Sequence, residues 1–172
     1  MDLSYAMKYV TMRAEAEAKN IRVSKPGIEF FFLGLLKLAE IRAKDAFNLS
    51  DKDLKAIDEE IAAVKKLFEK NDVDTDRVRP QMRHALKHGG VTDPDKLDGY
   101  LNEALELARK EDRDEIRAQD LLHAILKHPT DTILQVCPLK AEEENKRPEN
   151  LDKPENSADE MSPAFLLEIG RA

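Results

Sequence analysis

Tryptophan is absent from the chain, cysteine occurs once, and glycine appears only six times in 172 residues. Each scarcity excludes something. The lone Cys137 cannot close an internal disulfide, so nothing asks for an oxidising compartment and the cytoplasm is the expected location. The scattered glycines never form G-x-x-x-x-G-K-[ST], so ATP phosphates and their Mg are not expected to be cradled here. No apolar run approaches the ~20 residues that span a bilayer. The opening "MDLSYAMKYV" also lacks the basic and apolar regions of an export signal. Excess positive charge is lacking too. Lys+Arg number 28 against 35 Asp+Glu, a net charge of -7, which argues against a surface that displaces counterions from nucleic acid.

What remains is 41% hydrophobic and 37% charged, the composition of a helix-rich globular protein. Leu3, Met7, Val10, Ala14 and Ala18 recur at spacings of three and four, predicting an amphipathic helix over 3–20. "IRVSKPGIE" interrupts it, with Pro26 suited to the first turn of a second helix over 26–38. That helix carries Ile28, Phe30, Phe31, Phe32, Leu33, Leu35 and Leu36 around most of its circumference and should be buried, with Gly34 marking a close approach by a neighbour. A short third helix would hold Ile41, Ala43, Ala46 and Phe47.

Ser50 followed by Asp53 opens an amphipathic helix over 50–70, and a helix over 76–88 ends at Gly89 and Gly90. Thr92, Pro94 and Asp95 then start a helix bearing Leu97, Tyr100, Leu101, Ala104, Leu105 and Ala108. A polar connection leads to a second buried helix, "QDLLHAILK", which stops at Pro129. Residues 139–162 are rich in Glu, Asn, Lys, Asp and Pro and read as a flexible linker, and 163–172 turn apolar again, as the start of a following module.

A shift of 90 residues carries Phe31 onto Leu121, Ala14 onto Ala104, Ala18 onto Ala108 and Glu29 onto Gln119. The expected fold is therefore all-α: a pseudo-twofold bundle over 1–138 of two repeated multi-helix units, 1–49 and 91–138, joined by an inserted helix and connection over 50–90. Its repeated core would be Phe31, Phe32, Leu35 and Leu36 in the first copy, with Leu121, Leu122, Ile125 and Leu126 in the second.

Several residues suggest chemistry less strongly. "DVDTD" at 72–76 begins like a calcium loop, but Arg77 and Arg83 stand where glycine and a bidentate glutamate are needed. His84 and His88 share a helix face without further ligands nearby, His123 is expected as a core or subsurface histidine, and Cys137 as an inert thiol. No metal is expected. A helical-bundle enzyme would require His84, His88 and His123 to converge.

The doubled pattern, "EFFFLGLL" at 29–36 and "QDLLHAIL" at 119–126, each after an alanine-bearing helix and a turn, resembles the N-terminal domain of the Clp family of AAA+ unfoldases, types A, B and C. The resemblance covers about 1–138. It implies a monomeric, non-catalytic domain that receives unfolded or tagged proteins, or adaptor proteins, for a hexameric ATPase encoded downstream, with ATP and Mg bound there and a peptidase as a further partner. In C-type members the glutamate of each copy belongs to a phosphoarginine site, which maps to Glu29 with Ile28 and to Gln119 with Ala118. The chain departs from the family by Phe30 and Asp120 at the usual histidine, by neutral Gln119, and by Ile28 and Ala118 at the usual threonine. The alternative is a free-standing helical scaffold or regulator with one fixed partner.

Overall fold

The chain is mainly helical. A computed structural model describes residues 2–139; the expected linker over 139–162, apart from its first residue Leu139, which is buried, and the expected module start at 163–172 lie outside the described residues. Among those described, the order is β1 (Asp2–Leu3), α1 (Tyr5–Asn20), α2 (Ile28–Leu38), α3 (Ala43–Ala46), α4 (Asp51–Lys70), α5 (Thr75–Lys87), a 3-10 turn (Pro94–Lys96), α6 (Leu97–Lys110), β2 (Glu115–Ile116), α7 (Ala118–Lys127) and α8 (Asp131–Val136). No helix among them is long and apolar enough to cross a membrane.

Sequence periodicity accounts for most of these elements. Ser4 caps α1, its hydroxyl accepting from the Met7 amide at 3.1 Å, and the helix buries Ala6, Met7, Val10, Ala14 and Ala18. Ser50 caps α4 by accepting from the Asp53 amide, and Asp74 caps α5 by accepting from the Asp76 and Arg77 amides. Four helices end in the same hydrogen-bonded turn, with Arg22, Asp72, Gly89 and Asp112 at positive φ after α1, α4, α5 and α6. Only one of the four is a glycine.

The core centres on α2, ten of whose eleven residues are buried. Phe30, Phe31 and Phe32 all lie within it, and Phe32 meets Phe68 of α4 edge-on with ring centroids 5.9 Å apart. The aromatic cluster therefore ties α2 to α4. Gly34 lets α1 approach closely: a Cβ there would lie 2.7 Å from the Val10 carbonyl oxygen.

Five expectations need correction. Leu3, expected in the first helix, belongs to β1, and α1 begins at Tyr5 after its Ser4 cap. Pro26 lies outside α2, whose cap is Gly27. Thr92 does not cap the next helix; Asp93 does, accepting from the Asp95 amide at 2.9 Å. The connection before α7 is not merely polar, because β2 pairs in parallel with β1, in the register Asp2↔Glu115 and Leu3↔Ile116. Finally, α7 is buried along one side only. His123 is exposed and Leu126 part-exposed, both lying around the helix from the stripe of Leu121, Leu122 and Ile125 that faces the core.

Candidate functional site

The four site residues occupy the first turns of α2 and α7. Ile28 is 1% exposed and Glu29 is fully buried. Glu29 Oε1 accepts from the Thr92 backbone N–H at 3.1 Å, and Oε2 accepts from the Thr92 hydroxyl. Gly27 permits this docking, since a Cβ on it would lie 2.8 Å from the Thr92 carbonyl oxygen. Both carboxylate oxygens of Glu29 thus have an internal partner, where the resemblance implies a bound guanidinium.

At the start of α7 the carboxylate comes from another helix. The buried Ala118 donates its N–H to Glu60 Oε2 at 2.6 Å, and the Ser4 hydroxyl donates to the same oxygen at 2.6 Å. Burial pushes the Glu60 carboxyl above the ordinary glutamate range, while the bonds from Ser4 and Ala118 pull it the other way. Asp120 closes the turn by accepting from the Arg117 amide and from both Nη atoms of Arg113. Asp120 thus supplies a cap at the start of α7, at the position where the resemblance implies a histidine. Gln119 lies part-exposed beside a polar recess shared with Tyr5, Asp53, Glu59 and Glu60, and its Oε1 is buried without a partner among the described residues. Glu60 was hidden in the sequence because the other glutamates of α4, Glu59 and Glu69, are exposed.

Away from these first turns, a groove of about 350 Å³ runs between the N-terminal elements and α6. Leu3, Pro26 and Phe31 form one side, and Pro94, Leu97 and Leu101 the other. Its polar edge consists of Thr11, Glu15 and Lys25. A signal for it was present in the sequence: α6 carries a broad apolar stripe, yet only Ala104 and Ala108 are buried. Leu97 and Leu101 consequently remain part-exposed.

The remaining candidates stay apart. His84 and His88 are both exposed, with ring centroids 4.3 Å apart. Within "DVDTD", Asp74 is used as a helix cap. No group of three or more His, Cys, Asp or Glu side chains among the described residues could hold a metal ion. Burial raises the Cys137 thiol to about 11, so the thiolate is scarce at neutral pH. Compared with known proteins, the chain matches no family model, no curated protein and no solved structure.

Proposed function

We propose that this chain is a non-catalytic protein-binding module of the kind that precedes the ATPase ring in Clp unfoldases, built as two pseudo-symmetric units. The observation that carries this reading is the apolar groove bounded by Leu3, Pro26 and Phe31 from the first unit and by Pro94, Leu97 and Leu101 from the second. A half-buried apolar groove with a narrow polar edge suits the exposed hydrophobic segments of unfolded proteins, which lose apolar surface to water on docking.

The repeat is supported by backbone detail as well as by sequence. The 90-residue shift brings α1 onto α6, α2 onto α7 and α3 onto part of α8. It also aligns the turn after α1, with Arg22 at φ 62°, with the turn after α6, with Asp112 at φ 59°, and each turn returns three N–H groups to two matching carbonyls. α4 and α5 fill the connection. On this reading clients or adaptors bind the groove, and the segment after residue 139 tethers them near a downstream ring, raising their effective concentration.

The test is an amide NMR titration of the full 172-residue chain with a permanently unfolded polypeptide. Saturable shifts should cluster at Phe31, Leu97 and Leu101, and Leu101→Asp should abolish them. Shifts confined to other surfaces, or none, would turn the reading toward a scaffold with a single dedicated partner.

A further inference from the structure

A second concave surface lies between α1, α2 and α5, and its chemistry differs from that of the groove. Its volume is about 260 Å³. The floor is apolar: Phe30 and Leu33 of α2 and Leu86 of α5 line it at 1%, 2% and 3% exposure. Around that floor stand Arg13 of α1 together with Arg83 and Lys87 of α5. Glu17 is the one acid lining the cleft, so three cations against one carboxylate leave it two charges positive in a chain of net charge -7.

Glu17 organises the cations without exhausting them. It accepts from Arg13 Nη2 at 3.1 Å, and from Arg83 Nε at 3.2 Å and Nη2 at 2.8 Å. A guanidinium has five N–H donors, so both arginines keep donors in hand. One of these, Arg13 Nε, is buried and has no acceptor among the described residues. A buried donor without an acceptor is costly, and the Arg13 side chain as a whole is 29% exposed, so its other donors are open to an anion. Lys87 is exposed at the rim and adds a mobile third charge.

We propose that this cleft binds the C-terminal end of a polypeptide, with the free carboxylate on Arg13, Arg83 and Lys87 and the last apolar side chain on Phe30, Leu33 and Leu86. Size argues for a chain end. The cleft, at about 260 Å³, is smaller than the roughly 300–1,000 Å³ of sites that enclose a whole small molecule. Only a terminal residue places a carboxylate and an apolar side chain on the same Cα. Charge calls for an anion, because three cations face the single carboxylate of Glu17. The cleft shares no lining residue with the groove, so this inference stands whether or not the groove receives clients.

The experiment is a fluorescence-polarisation titration of the full chain with an octapeptide labelled at its N-terminus and ending in leucine as the free acid. Two control peptides accompany it: the same sequence as the C-terminal amide, and that amide with an internal glutamate. Saturable binding of the free acid is expected, with the amide weaker by roughly tenfold or more, the size of a lost charge-assisted hydrogen bond. Arg83→Gln and Lys87→Glu should each weaken the free acid by a similar factor. Arg83 also braces α5 to α1 through Glu17, whereas the exposed Lys87 does not, so Lys87→Glu should act with an unchanged melting temperature. Equal binding of acid and amide overturns the proposal. So does binding of the internal-glutamate amide as tight as the free acid, an unaffected Lys87→Glu, or no free-acid binding up to about 1 mM, the weak end of specific recognition.

Discussion

The two helices that share the EFFFLGLL and QDLLHAIL pattern begin in different ways. α2 carries its own carboxylate, Glu29, and sends both oxygens to Thr92, far along the chain. α7 has neutral Gln119 at the corresponding place and borrows Glu60 from α4, whose Oε2 receives the Ala118 N–H and the Ser4 hydroxyl. Each first turn thus gains negative charge near its exposed amides, as the helix dipole favours. One device is encoded within the helix and the other is assembled by packing. The difference extends along both helices, because α2 is buried nearly all round whereas α7 exposes His123 and Lys127. A shared sequence rhythm therefore does not ensure a shared environment.

That comparison can be tested by substitution, and the largest effect should come from the aromatic centre of α2. Phe32→Ala should cost about 3–5 kcal/mol, read from denaturant unfolding, since it empties the contact with Phe68. Leu126→Ala on α7 should cost well under that, because Leu126 is part-exposed. Equal losses at the two positions would erase the distinction between a central and a one-sided helix.

Next comes the self-supplied carboxylate. Glu29→Gln should destabilise by about 1.5–3 kcal/mol, the range for a hydrogen bond to a charged group, while Gln119→Glu at the part-exposed position should change stability by less. A neutral Glu29→Gln would show that Thr92 docks without needing the charge.

A smaller effect separates the helix interiors. Gly34→Ala should cost about 1–3 kcal/mol, because the added Cβ meets the Val10 carbonyl oxygen at 2.7 Å. Ala124, at the matching place in α7, already has a Cβ in the core, and Ala124→Gly should cost about 1 kcal/mol from helix propensity. Thermal melts of the two variants would show whether α1 and α6 approach their partner helices equally closely.

The smallest effect concerns the borrowed carboxylate and is read as a pH dependence. The Glu60 carboxyl is raised by burial, so the folded state holds its proton more tightly than the unfolded state does. Its contribution to stability is fully present below the ordinary glutamate pKa and is lost as pH rises through the raised folded value. The melting temperature of the native chain minus that of Glu60→Gln should therefore decline as pH rises through that interval. A flat difference would indicate that Ser4 and Ala118 hold the carboxylate well enough to cancel the burial penalty.

Much of this was legible in the sequence. The spacing of Met7, Val10, Ala14 and Ala18 specified the buried side of α1, and Ser50 and Gly89 marked a start and a stop that the structure retains. Gly34 announced the close approach of α1. The errors arose where one residue had two possible partners. Thr92 has the chemistry of a cap, but its hydroxyl bonds to Glu29, and the neighbouring Asp93 takes the cap. The role of Asp120 was not legible either: it accepts from the Arg117 amide and the Arg113 guanidinium.

The sequence by itself determined the helices, because hydrophobic periodicity and capping act over three or four residues and need no knowledge of the fold. It also determined that Phe30, Phe31 and Phe32 would be inside, since a helix apolar around most of its circumference has no face to offer water. Only the tertiary structure decided which carboxylate serves which helix start, which leucines of α6 remain at the groove, and that Arg13 and Arg83 meet over Glu17. The hydrogen bonds among them join residues as much as 66 positions apart, and the groove brings together residues further apart still; such pairings are set by how the helices pack, which local patterning does not encode.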